Sequence, residues 1–123
     1  MRGEDMYSEI AQQHIANPCN LGPLATATHE GVAGVPGDGP YMILWFEVVE
    51  NVIRSAAFRT YGCAAATAVG SITTVLLTGL TVERALTLTA KDIDLVLGGL
   101  PEGKRSCAQL AADAVQLALS QRS

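Results

Sequence analysis

The spacing of apolar positions predicts a short helix first. Tyr7 to Ala16 reads as helical, with Ser8 as its cap, and it ends at Asn17-Pro18 because the residue before a proline avoids helical angles. From Asn17 to Pro40 periodicity gives way to repeated glycine and proline, including Gly31, Gly34, Pro36, Gly37 and Gly39, so the backbone must bend repeatedly. A strand is expected within this stretch near Gly31 to Val35. Tyr41 to Val49 is rich in aromatic and β-branched residues, Glu50-Asn51 forms a turn, and Val52 to Arg59 is the hairpin partner.

Beyond Tyr61-Gly62-Cys63 the period becomes helical. A helix is expected from Ala64 to Thr78, with Ala65, Val69, Ile72, Leu76 and Leu80 on one stripe and Gly79 as its stop. Thr81 can cap a helix from Val82 to Leu88. Thr89-x-x-Asp92 is a capping box for Lys91 to Leu97, which Gly98-Gly99 ends, and Ser106-x-x-Gln109 is a second box opening a helix from Cys107 to Leu119. A helix, then strands, then helices predict an α+β fold in which an antiparallel sheet packs against helices.

Length and charge narrow the functions. The 123 residues, 49% hydrophobic, suffice for one domain spanning 1–123. A net charge of -4 with only eight basic residues argues against a nucleic-acid partner, whose phosphates require clustered Lys and Arg. Thr60 to Val82 carries no charge and is long enough to span a bilayer, but its threonines, Ser71 and glycines, with apolar residues on one face, favour a buried amphipathic helix and no membrane partner. Met1 to Asp5 lacks the apolar core of a secretory signal, and three widely spaced cysteines fit free thiols, so a cytoplasmic location is expected.

Candidate chemistry centres on those thiols. Cys63 immediately precedes a helix and Cys107 lies in the first turn of another, where exposed N–H groups favour thiolate, the form that ligates metal or accepts sulfur. Small buried hydrophobes are the competing reading for both. Asp38, in the glycine-rich loop, reads as a turn former or as a metal-binding carboxylate. His14 and His29 are isolated and read as hydrogen-bonded or solvated, Ser106 as a helix cap, and Lys104-Arg105 as a solvated charge pair.

Taken in order, the motifs resemble the IscU/NifU N-terminal-type iron–sulfur scaffolds from Tyr7 to Leu119. The resemblance rests on Tyr7-Ser8-Glu9, His14-x-x-Asn17-Pro18-x-Asn20-x-Gly22, Gly34-x-Pro36, Met42, Phe58-x-Thr60-Tyr61-Gly62-Cys63, Leu100-Pro101-x-x-Lys104-x-x-Cys107 and Ala111-x-Asp113-Ala114. It implies an IscU/SufE-like sandwich. It also implies a scaffold or carrier rather than an enzyme, taking sulfur from a cysteine desulfurase and passing a [2Fe–2S] cluster, held on three cysteines with a histidine and an aspartate nearby, to acceptor proteins.

This chain departs from that ligand set. The family's Cys-Gly-Asp corresponds to Asp38-Gly39-Pro40, its His-Cys to Ser106-Cys107, and Cys19 falls where arginine is usual. The resemblance therefore leaves Asp38, Cys63 and Cys107 as the ligand set, which should converge at one end of the molecule to hold a [2Fe–2S] cluster or iron, with zinc compatible with the same donors. Competing readings are a persulfide acceptor at Cys107 and a paralog acting as an interaction module without cluster chemistry. Leu100-Pro101-Glu102-Gly103-Lys104 resembles the family's Leu-Pro-Pro-Val-Lys recognition motif for an Hsp70-type chaperone, without its second proline and valine.

Overall fold

A computed structural model describes residues 7–101 and 103–120, so Met1 to Asp5 and Glu102 lie outside the described residues. The order is α1 (Glu9–Ala16), β1 (His29–Gly34), β2 (Tyr41–Val49), β3 (Val52–Tyr61), α2 (Ala64–Leu77), α3 (Val82–Ala85), α4 (Ala90–Val96) and α5 (Arg105–Leu119). The three strands form an antiparallel meander in sequence order, with helices packed on it, which is the expected α+β architecture.

Alternation along β2 places Met42, Leu44 and Phe46 in the core. Their partners in β3 include Phe58, opposite Leu44, and Ala56, opposite Phe46. Between Glu47 and Val48 the register slips, so that Val48 pairs with Ile53 rather than Arg54. A one-residue slip exchanges the faces of a strand, so Ile53 turns inward and is fully buried while Arg54 stays exposed.

Two glycines let the helices reach the sheet. A Cβ on Gly31 of β1 would lie 2.2 Å from the Ala114 carbonyl oxygen of α5, and one on Gly70 of α2 would lie 2.2 Å from the Phe58 ring. The outer edge of β3 is covered as well: Asn20 and Gly22 exchange backbone hydrogen bonds with Phe58, and Gly79 and Leu80 do so with Ile53.

The α2 helix corrects the one-face expectation, because it is buried nearly all round, between α1, β3 and α5. Leu77 is fully buried, and the expected Leu76 is half-buried against the same core. Small residues permit close approach, and most of the buried hydroxyls are bonded. Ser71 Oγ lies 2.6 Å from His14 Nδ1 and accepts from the Cys19 amide at 2.8 Å. Thr74 Oγ1 accepts from Asn20 Nδ2 at 3.0 Å. Among the described residues no helix is long and apolar enough to cross a membrane.

Helix ends follow the predicted capping at Ser8, Thr81 and Thr89, whose hydroxyls each accept a first-turn amide, and Thr89 and Asp92 complete a capping box. Two expectations are corrected. The α3 helix stops at Ala85 rather than Leu88, where the Thr87 amide and hydroxyl both donate to the Arg84 carbonyl. The α5 helix begins at Arg105 with Lys104 as N-cap, so Ser106 is exposed in the first turn and is not the cap.

Candidate functional site

The hairpin exit delivers Cys63 as N-cap of α2, and the loop after α4 delivers Cys107 into the first turn of α5. The two helices pack together, and the sulfurs end 4.0 Å apart. They line one cleft of about 440 Å3, walled by Pro40 and Gly62 on the strand side and by Lys104, Ser106 and Leu110 on the α5 side. Cys19 stands elsewhere and is exposed, its amide held by Ser71 on the middle of α2.

Asp38 is the expected ligand that the structure does not bring to the pair. It is exposed in a turn whose end is fixed by its own amide donating to the Val35 carbonyl at 2.9 Å. Among the described residues no three His, Cys, Asp or Glu side chains are grouped closely enough to hold a metal ion. The turn reading of Asp38 therefore describes this conformation, in which Gly37 and Gly39 take positive φ values of 89° and 99°.

The two thiols are not alike, which corrects the expectation that both favour thiolate. Burial pushes Cys63 up, but the Ala66 and Ala65 amides, the Cys107 S–H and the Lys104 charge outweigh it, and the net shift is downward. Cys63 makes no cap hydrogen bond of ordinary geometry, so these amides act on its sulfur as a helix-terminal field. Cys107 is pushed up to about 11, first by burial and then by the Cys63 charge and the hydrogen bond it donates to Cys63, with Lys104 opposing. Of the two, Cys63 is therefore the first to lose its proton, and the contact between the sulfurs then runs from the Cys107 thiol to the Cys63 sulfur.

Two further groups belong to this cluster. Burial pushes the Tyr7 phenol up, the charges of Cys63 and Cys107 add to this, and Lys104 and the Ala65 amide oppose it. Tyr7 therefore stands at the start of α2 beside the thiols, although in sequence it is 56 positions from Cys63. Lys104 faces the cleft, whereas Arg105 lies 4.0 Å from Asp94, so the expected Lys104-Arg105 pair points in two directions. His14 bonds Ser71, and His29 Nδ1 lies 2.8 Å from Thr28 Oγ1, so neither histidine joins the site.

Nearly all of the chain fits a known family model. Residues 6–122 match the NifU-like N terminal domain. The chain belongs to this family. Among NifU-like relatives, iron-sulfur cluster assembly scaffold protein IscU 1 of Archaeoglobus fulgidus is 40% identical over 114 residues, covering 93% of this chain and 74% of that protein. The protein of the same scaffold name from Aquifex aeolicus is 37% identical over 115 residues, covering 92% of this chain and 73% of its own length. The same fold occurs in the crystal structure of a putative iron-sulfur cluster assembly scaffold protein for the SUF system from Fervidobacterium islandicum, at TM-score 0.73 and 18% identity, covering 96% of this chain and 99% of that one.

Proposed function

We propose that this chain is an iron–sulfur assembly scaffold or carrier whose cargo, a [2Fe–2S] cluster or iron, is held by Cys63 and Cys107, with Asp38 as the third ligand. The observation that carries this reading is the sulfur pair. Two sulfurs each about 2.3 Å from one metal and separated by 4.0 Å subtend about 120° at it, near the tetrahedral angle that zinc and iron–sulfur sites adopt. The same arithmetic admits zinc as a competitor. The family match and the scaffold names of its relatives give the cargo its chemistry.

Asp38 is within reach although it is not in place. Pro40 already lines the cleft, and two residues of extended chain span about 7 Å, so refolding of the Val35–Asp38 turn can carry the carboxylate to the pair. The sulfur donor on this reading is a cysteine desulfurase, and the recipients are iron–sulfur acceptor proteins in the cytoplasm. An Hsp70-type chaperone would meet Leu100 and Pro101 buried and the Leu100 amide bonded to Asp94 at 2.7 Å, so it could read this segment only after the loop opens.

Anaerobic reconstitution with ferrous iron and sulfide tests the proposal. Wild type should retain iron and acid-labile sulfide, Cys63→Ser and Cys107→Ser should each lose them, and Asp38→Ala should bind more weakly. Undiminished iron in the double cysteine variant would overturn the reading. Undiminished affinity in Asp38→Ala would remove the carboxylate from the ligand set.

A further inference from the structure

The cleft holds two thiols in contact distance and, among the described residues, no third cysteine beside them. Sulfur delivered as a persulfide carries sulfane sulfur, which must gain two electrons to become the sulfide of a cluster. Two neighbouring thiols hold that many. We infer that the pair is an internal reductant: Cys63 takes the sulfane sulfur, and Cys107 expels it as hydrogen sulfide by closing a disulfide. This rests on the sulfur-handling function proposed above, and it assigns the chain a reductive step rather than passive holding.

The balance is complete. The Cys63 persulfide and the Cys107 thiol give the Cys63–Cys107 disulfide and hydrogen sulfide; the sulfur–sulfur bond of the persulfide breaks, a new one forms between the two cysteines, and the Cys107 thiol proton passes to the departing hydrosulfide. The sulfane sulfur is reduced and both cysteine sulfurs are oxidised. A dithiol reductant of the cell returns the pair to thiols for another round.

Geometry assigns the roles. Cys63 is the less buried of the two sulfurs, so an incoming donor meets it first. Cys107 lies 4.0 Å from the Cys63 sulfur, the inner atom of the persulfide, and must close by only about 0.5–1 Å to reach attacking distance. Both residues sit on the rim of a cleft of about 440 Å3, which leaves room for the outer sulfur and its departure. Each side chain has a single torsion to adjust, and neither helix need unwind.

The test uses the metal-free, fully reduced 123-residue chain carrying Cys19→Ser, which removes the exposed thiol. It is mixed with limiting glutathione persulfide under anaerobic conditions without added reductant. Sulfide release is followed colorimetrically, and intact and peptide masses locate the sulfur. The expected result is sulfide release with formation of a Cys63–Cys107 disulfide. Adding Cys107→Ser should slow release about tenfold or more and leave the extra sulfur on Cys63. Release at the parental rate from that variant, a stable persulfide in the parent, or no sulfur reaching Cys63 would each overturn the inference. Iron retention by the same proteins reports separately on the scaffold reading, which survives if only the sulfide step fails.

Discussion

Gly31→Ala tests how the fold places the thiols. The added Cβ would lie 2.2 Å from the Ala114 carbonyl oxygen and 2.6 Å from the Ala118 nitrogen, both backbone atoms that no side-chain rotation can move. Restoring an ordinary contact of 3.4 Å requires α5 to withdraw from β1 by about 1.2 Å, and a gap of about 0.5–1 Å already forfeits a quarter to a half of the dispersion energy across the contact. The contact is broad, because Ala108, Ala111, Ala114, Val115 and Ala118 are all buried. Overpacking against backbone falls in the upper part of the usual range, about 2–3 kcal/mol, against which the stiffer unfolded chain returns about 0.4–1 kcal/mol. For 123 residues at roughly 4 °C per kcal/mol, Tm should fall by about 4–10 °C in thermal unfolding followed by circular dichroism. Because α5 carries Cys107, the variant should also retain less iron at temperatures where it is still folded. Val32→Ala, on the exposed face of the same strand, is the control. An unchanged Tm for Gly31→Ala would show that α5 does not rest on β1 as the structure describes.

The thiol asymmetry predicts that alkylation at pH 7.5 labels Cys63 faster than Cys107, with the Cys63 profile rising below the ordinary thiol range and that of Cys107 only towards about pH 11. Lys104→Met should move both profiles to higher pH, since its charge lowers both pKa values, and equal rates at the two cysteines in wild type would refute the arrangement. Ser71→Ala leaves the Cys19 amide without its acceptor and His14 without its neighbour, at a cost of about 1–3 kcal/mol readable by urea denaturation; a smaller loss would mean that water replaces the hydroxyl.

Local patterns made much of this fold readable. The hairpin from Tyr41, the caps at Ser8, Thr81 and Thr89 and the helical identity of α2 depend on residues a few positions apart, and these local preferences agree with the tertiary structure. The burial of α2 on nearly every side was not readable, since alanine, serine and threonine mark no face unless their neighbours are known. The bulge that turns Ile53 inward was equally hidden, because a register slip belongs to a pair of strands and not to either one. At the site, the helix-start positions of Cys63 and Cys107 suggested reactive thiols. The raised pKa of Cys107 arises from burial and from a residue 44 positions away, and Tyr7 enters the same cluster from the far end of the chain.

The frame of this site and its proposed ligand set are physically separable. The sulfur separation is fixed by how α2 and α5 settle on the sheet, through Gly70 against Phe58 and Gly31 against Ala114, and none of these contacts involves a metal donor. Asp38 instead sits exposed in a turn closed by its own backbone, so a substitution there changes the chemistry of the loop without entering the core. Aspartate at position 38 therefore leaves untouched the frame that keeps the two thiols at 4.0 Å. On the proposed ligand set, what changes is electron supply and ligand softness: a carboxylate offers a harder oxygen and no reducing equivalents, leaving Cys63 and Cys107 to supply both thiolate ligation and any internal reduction of sulfur. Those two tasks compete for the same electrons, because a pair closed as a disulfide cannot bind metal. On the two proposals together, sulfide release must therefore precede cluster binding on any one copy, with reduction of the pair between them.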